Sequence, residues 1–372
     1  MASARSPRDY QQRSVRRRHK DDSAQLALRV GTDCSGLDVP VAVLENIMGG
    51  RNRRIHHVFS SESDAKTRDI LLHNFSPDFH YSDLARRPAS LSASSSVASE
   101  LPSSADLPRL DVYVAGFPCQ AFSSAGLSAG VRDERGTLWV HIVRFISVAL
   151  PRSVVLENVV GLTRGPHKGV FNAMMELLNS MGEYWWYHRI LDTVEYGVPQ
   201  SRPRVYIVGI RRSDAKAPFE WPAPAASPPQ LDDFLDVERP ITPTDVAEKL
   251  PPEGTRRRRM VMEVLEDLMS KGQNPLTTPA VYSVDNRHPT LMLNCSPCLT
   301  QSRTRGYGHW LVHRCRFMTT REMFKLQGLD PNRWACPGHV SDTHFRACLG
   351  NAMSGNVLKA VLLAVLEAIG EV

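Results

Sequence analysis

A cysteine, a glutamate and two arginines, each set at the edge of an apolar run, are the residues of this chain best placed to make and break a covalent bond. Cys119 follows the alternating run Leu110-Asp111-Val112-Tyr113-Val114-Ala115 and the break Gly116-Phe117-Pro118. A thiol delivered where a strand ends is a candidate nucleophile once acid and cation partners stand nearby, although most cysteines are simply small buried hydrophobes. Glu157 ends the run Ser153-Val154-Val155-Leu156. A carboxylate there is costly unless it binds something, caps a helix or pairs with a cation. Gln200-Ser201-Arg202-Pro203-Arg204 leads into Val205-Tyr206-Ile207-Val208. Strand alternation sets Arg202 and Arg204 on one face, where two guanidinium groups suit a carboxylate, a phosphate or a developing oxyanion.

These residues need a scaffold that gathers strand ends. From residue 26 the pattern is strand (26–31), turn (Asp33-Cys34-Ser35-Gly36), helix (39–48), strand (57–61) and helix (65–74). A stretch rich in Ser, Ala and Pro interrupts at 88–108. The alternation resumes with strand 110–115, helix 137–149, strand 152–156 and helix 169–181. A strand pair follows near 187–195 and 203–210, joined through Tyr196-Gly197-Val198-Pro199, a turn compatible with antiparallel pairing. The expectation is an α/β fold, a mostly parallel sheet wrapped by helices. In such sheets ligands gather at the carboxyl ends of the strands. After Arg212 the texture turns irregular, with helix 256–270 its one clear element; α/β texture returns at Thr319-Thr320-Arg321-Glu322, a helix start with a capping pattern, and closes with an amphipathic helix over 357–369.

The first turn, Asp33-Cys34-Ser35-Gly36-Leu37, lies after strand one, and Glu62-Ser63 after strand two. An acid at that second position commonly receives ribose hydroxyls. Asp83-Leu84 offers an acceptor for an adenine amine. No G-x-G-x-x-G with phosphate-cradling spacing is present, so an adenosine ligand without a pyrophosphate fits better than a dinucleotide.

With 372 residues, 42% hydrophobic and 23% charged, the chain has the composition of a globular protein with one large and one smaller unit. No apolar run reaches bilayer length, so no membrane partner is expected. Seven scattered cysteines fit reduced thiols better than a disulfide framework. The net charge of +6 comes from residues 1–20, with seven Arg/Lys against one Asp. A basic arm of this kind touches nucleic acid or serves as a nuclear address. Residues 254–320 hold 10 basic and 4 acidic groups, including Arg256-Arg257-Arg258-Arg259. That surplus reads either as a phosphate-facing surface or as a solvated helix start. Cys295-x2-Cys298 with His309-x3-His313 approaches a zinc pattern, but the gap between the pairs is short, and no metal is expected.

Six ordered blocks resemble the cytosine-C5 DNA methyltransferases: Gly116-Phe117-Pro118-Cys119-Gln120-Ala121-Phe122-Ser123, Arg135-Gly136-Thr137-Leu138, Leu156-Glu157-Asn158-Val159, Gln200-Ser201-Arg202-Pro203-Arg204-Val205, Arg321 to Gly328, and Gly350-Asn351-Ala352-Met353. The resemblance implies a Rossmann-like sheet with helices on both faces and a small irregular target-recognition domain. It assigns 1–24 to the basic tail, 25–212 and 306–372 to the catalytic domain, and 213–305 to target recognition. It implies S-adenosylmethionine along Asp33, Cys34, Ser35, Gly36 and Leu37, with Glu62 and Ser63 at the ribose and Asp83 and Leu84 at the adenine. Gly116, Pro118, Asn351 and Ala352 would complete that site. Cys119 would add to C6 of a cytosine flipped out of double-stranded DNA, Glu157 would meet N3, and Arg202 and Arg204 would sit near the base. Gln120, Ser123, Arg256 to Arg259, Arg303 and Arg305 would touch DNA. The first turn departs from the family's pattern. Two glycines are replaced by Asp38 and Val39, and the leading acid by Thr32. Two rival readings are a transfer-RNA cytosine-C5 methyltransferase, which Cys298-Leu299-Thr300 echoes, and an inactive nucleic-acid-binding scaffold, against which all four reactive residues stand. The expected protein is a monomer, nuclear if eukaryotic and otherwise cytoplasmic.

Overall fold

The computed structural model describes residues 27–51, 53–86, 109–118, 136–284, 289–306 and 308–372. The basic tail, the 88–108 stretch, Cys119, Gln120 and Ser123 lie outside them. The first half runs β1 (Leu28–Asp33), α1 (Val39–Gly49), β2 (Ile55–Ser61), α2 (Ala65–Asn74), β3 (Phe79–Tyr81), β4 (Val112–Ala115), α3 (Gly136–Ala149), β5 (Ser153–Val159), α4 (Lys168–Ser180) and β6 (Tyr184–Asp192). Then come β7 (Gln200–Ser201), β8 (Pro203–Arg211), α5 (Pro243–Lys249), α6 (Arg256–Ser270), β9 (Ala280–Tyr282), β10 (Leu291–Leu293) and β11 (Ser296–Pro297). The remainder is α7 (Gln301–Arg305), β12 (Trp310–Leu311), β13 (Arg316–Phe317), α8 (Thr320–Leu326), α9 (Asp342–Asn351) and α10 (Gly355–Ala368).

The main sheet has the order β3-β2-β1-β4-β5-β8-β6. Neighbours from β3 to β5 pair in parallel, and β8 runs antiparallel to both β5 and β6. Both faces are covered, so the central strands are mostly apolar on both faces rather than alternating. Val112 and Val114 face a core shared with α1 and α10, whereas Tyr113 and Ala115 face one shared with α3 and α4. In α10 the stripe Val357, Leu358, Val361, Leu362, Val365, Leu366 is buried at helical spacing. Each such side chain contributes about 1.5–3 kcal/mol relative to exposure.

Several boundaries differ from the sequence expectation, among them the end of β5, which runs to Val159 and not to 156. β1 continues through Asp33, because that carboxylate is satisfied inside the sheet by Ser61 Oγ at 2.5 Å and Tyr113 OH at 2.6 Å. β6 begins at Tyr184 and ends at Asp192; residues 193–196 form a 3-10 turn. The smaller unit is built on a third apolar core spanning Ile241 to Cys315, and its sheet, β10-β9-β12-β13, extends to Phe317. The boundary expected at 305/306 therefore falls within this region, which holds its last strand pair until α8 begins. Within it, residues 296–305 cross back: β11 pairs with β7, and α7 packs on α9. Gly350 makes that contact possible, since a Cβ there would collide with the Gln301 backbone. The Thr319–Glu322 capping box opens α8. Among the described residues no single helix is long and apolar enough to cross a membrane.

Candidate active site

A cavity of about 570 Å³ opens at the carboxyl ends of β1, β2, β4 and β5. Its chemistry depends on the one reversed neighbour in the sheet. Glu157 sits near the end of β5, Arg204 at the beginning of β8 and Arg202 immediately before it. Because these strands are antiparallel, an end and a beginning meet at the same edge. Arg204 Nε lies 3.3 Å from Glu157 Oε1. Burial raises the Glu157 pKa, while the Arg204 and Arg202 charges oppose that shift. Oε1 is buried without a hydrogen-bond partner among the described residues.

Arg202 does different work. Its guanidinium donates to the carbonyls of Leu299 at 2.6 Å, Gly350 at 3.2 Å and Ala352 at 2.7 Å. Only 2% exposed, it is a clamp joining β8, the Cys298-Leu299 segment and the end of α9. Burial pulls its pKa down from the usual guanidinium value. Cys298 Sγ accepts from both arginines, at 3.5 Å from Arg202 and 3.8 Å from Arg204. Sequence reasoning quoted Asn158 but gave it no role. Its buried side chain donates to the Phe117 carbonyl at 2.9 Å and so fixes the segment leading to Cys119. An amide directly after an acid at a buried strand end was the available signal.

Residues from five separated segments form the rest of the wall. Asp33, Cys34, Ser35, Gly36, Leu37, Glu62, Ser63, Asp83, Leu84, Gly116, Pro118, Asn351 and Ala352 all line the cavity, so every residue expected around S-adenosylmethionine meets there. Glu62 Oε2 accepts the Gly36 N–H and Oε1 the Asp64 N–H, both at 2.9 Å, and burial raises its pKa. Asp83 also accepts the Ala85 N–H at 2.9 Å. A Cβ on Gly116 would stand 2.8 Å from the Met353 methyl and 3.9 Å from Glu157 Oε2. The bare backbone there keeps the cavity open between Met353 and the acid. Volume, acceptors and apolar lining together fit an adenosine-bearing ligand. Thr67, Gln301, His344 and Met353 also line the cavity; neither periodicity nor motif spacing singled out Thr67, Gln301 or His344.

The expected DNA-contacting arginines do not form one group. Arg305 lines the cavity itself, whereas Arg303 donates to the Cys298 carbonyl at 2.7 Å. Arg256 and Arg259 are exposed at the start of α6. Arg257 lies over the Phe317 ring, and Arg258 donates to the Pro251 carbonyl and approaches Glu253. The Cys/His residues near zinc spacing have other partners. His309 Nε2 donates to the Pro297 carbonyl, with burial pushing its pKa down to about 4, and His313 Nε2 meets Asp232 at 2.9 Å. Among the described residues no group of three His, Cys, Asp or Glu is arranged to hold a metal.

The profile of the C-5 cytosine-specific DNA methylase family matches residues 41–367. The type II methyltransferase M.NgoBI of Neisseria gonorrhoeae is 32% identical over 258 residues, 68% of this chain and 74% of that protein. M.HaeII of Haemophilus aegyptius is 28% identical over 271 residues, covering 72% and 77%. Among solved structures, the S. pombe Dnmt2 methyltransferase superimposes with a TM-score of 0.60 at 17% identity, covering 91% of this chain and 98% of that one. A DNA modification methyltransferase encoded within an E. coli prophage gives 0.59 at 20% identity, covering 93% and 100%. At those identities the structural likeness speaks for the fold.

Proposed function

Since this chain belongs to the C-5 cytosine-specific DNA methylase family, we propose that it methylates C5 of a cytosine turned out of duplex DNA, with Cys119 as the covalent nucleophile. C5 of cytosine is a weak nucleophile. Addition of the Cys119 thiolate to C6 pushes electron density onto C5, and Glu157 in its acid form hydrogen-bonds N3 and takes up the charge there. Arg204 holds the Glu157 carboxyl in place, and Asn158 fixes the backbone from which Cys119 extends. After methyl transfer, water takes the C5 proton, that C–H electron pair restores the C5–C6 double bond, and the C6–S bond breaks to return the Cys119 thiolate and release the product. S-adenosylmethionine, held along residues 33–37 with Glu62 and Asp83, supplies the electrophilic methyl group. Much of the rate then comes from holding two reactants in line. Arg305, at the cavity, and Arg256 and Arg259, on the smaller unit, are the cations that meet the DNA backbone, and the basic tail adds a further nucleic-acid arm or a nuclear address.

The observation that best supports this reading is the Glu157–Arg204 pair, with a raised Glu157 pKa, in the same cavity wall as Gly116-Phe117-Pro118. The test is transfer of labelled methyl from S-adenosylmethionine to duplex DNA and to bulk transfer RNA in parallel, with Cys119→Ser as control. Label in DNA cytosine that disappears in the variant is the expected result. Label in transfer RNA alone moves the substrate to the rival branch. Cofactor binding with no label in either overturns the catalytic reading.

A further inference from the structure

The turn that walls the cofactor cavity is anchored from behind by a buried carboxylate. Asp38, immediately before α1, has no measurable exposure. Its backbone is left-handed, with φ 54° and ψ 44°, a conformation that comes readily to glycine and at a cost to other residues. Aspartate at such a position ordinarily caps the helix, yet the Asp38 side chain makes no cap bond to α1. Its oxygens instead accept from Thr32 Oγ1 at 3.0 Å and Ser60 Oγ at 2.5 Å. His57 Nε2 stands 3.3 Å from Asp38 and 2.7 Å from Ser60 Oγ. From there the network reaches the cavity wall. The Thr32 hydroxyl lies 2.8 Å from that of Ser35, and Ser35 Oγ accepts the Ser61 N–H at 3.1 Å. Thr32, Ser35 and Ser61 line the cavity, and Asp38, His57 and Ser60 are not among the residues that do.

We propose that Asp38, supported by His57 and Ser60, is a positioning residue for S-adenosylmethionine: it ties the cofactor turn to β2 and so fixes the Ser35-Gly36 backbone that faces the ligand. This rests on the reading of the cavity as the S-adenosylmethionine site. A glycine at residue 38 would satisfy the left-handed backbone and leave the turn without its anchor. Aspartate meets both needs, with the Thr32 and Ser60 hydroxyls and the His57 ring gathered around one carboxylate. Helix capping does not account for the residue, because the side chain points into the network and not to the helix.

The experiment measures calorimetric affinity for S-adenosylmethionine and hydrogen exchange over residues 33–37 in the full chain, alongside KM and kcat. Asp38→Gly and Ser60→Ala are compared with the parent. A lost hydrogen bond to a charged group predicts a dissociation constant and a cofactor KM raised about tenfold in both variants. kcat at saturating cofactor should stay within about twofold of the parent, and exchange in the turn should quicken. Parent-like affinity in Asp38→Gly would mean that the backbone conformation alone matters, and would overturn the proposal. A uniform fall in kcat and melting temperature at unchanged affinity would also overturn it, as a merely structural role. If Asp38→Gly does not fold, Ser60→Ala decides, since it removes one hydroxyl. A parent that binds no S-adenosylmethionine overturns the reading of the cavity itself, an outcome distinct from unaltered variants on a binding parent.

Discussion

Glu157 and Arg204 are diagonal neighbours across two antiparallel strands. Glu157 lies opposite Tyr206 and Arg204 opposite Val159, and the two side chains close to 3.3 Å over that offset. The pairing register, and not closeness in sequence, delivers the charge to the acid.

That relationship sets a pH dependence. Burial raises the Glu157 pKa, and Arg204 is the leading opposing influence. On the proposed mechanism the acid form serves N3, so kcat/KM is expected to fall as pH rises through the raised value. Arg204→Met removes the opposing charge and moves this alkaline limb to higher pH, while lowering the rate. A limb unmoved, or moved to lower pH, in the pH–rate profile would contradict the assignment. Linkage has the same sign: the folded state holds the Glu157 proton more tightly than the unfolded state, so this contribution to stability is full below the ordinary carboxylate range and lost as pH rises through the raised value.

Glu157→Gln keeps the shape and removes the titrating proton. Methyl transfer should fall about 100-fold to 10,000-fold, with calorimetric affinity for S-adenosylmethionine preserved. Loss of cofactor affinity instead would place Glu157 in the cofactor site.

Asn158→Ala frees the Phe117 carbonyl that precedes Pro118 and Cys119. The expected outcome is a fall of about tenfold or more in single-turnover methyl transfer, from misplacement of the nucleophile. Cofactor affinity should hold.

Arg202→Met withdraws one buried cation from three backbone carbonyls. It should destabilise the fold by about 3 kcal/mol or more, read as a lower urea midpoint at unchanged m-value. A parent-like midpoint would show that the clamp carries no weight.

Arg256→Gln and Arg259→Gln remove exposed cations, whereas Arg257 and Arg258 already engage Phe317, Pro251 and Glu253. Each exposed position that meets a phosphate should lower the slope of log binding constant against log salt by about 0.9. Titration of duplex DNA at several salt concentrations checks this, and an unchanged slope in both variants would remove α6 from the DNA surface.

Much of the fold was legible because the central strands are apolar on both faces and bounded by Gly, Pro and Asp. Most of the expected cofactor residues converge because they stood at the carboxyl ends of strands, whereas Asn351 and Ala352 come from the end of α9. Two things were not legible. Alternation put Arg202 and Arg204 on one face, but only tertiary contacts reveal that Arg202 turns to carbonyls of Leu299, Gly350 and Ala352 while Arg204 meets Glu157. The end of β1 was misplaced because a buried aspartate reads as a turn residue until Ser61 and Tyr113, from distant segments, are seen to satisfy it.

The cavity wall joins residues 32–40 to residues 344–353, and Trp334 Nε1, ahead of the second segment, donates to the Leu37 carbonyl at 2.8 Å. A chain still emerging from the ribosome has all of β1 to β8 available long before this second segment appears. The cavity is therefore completed only after that second segment has been made. A nascent chain can bury much of its sheet while this cavity is still open, so a ligand bound there assists folding only after residues 344–353 have been made.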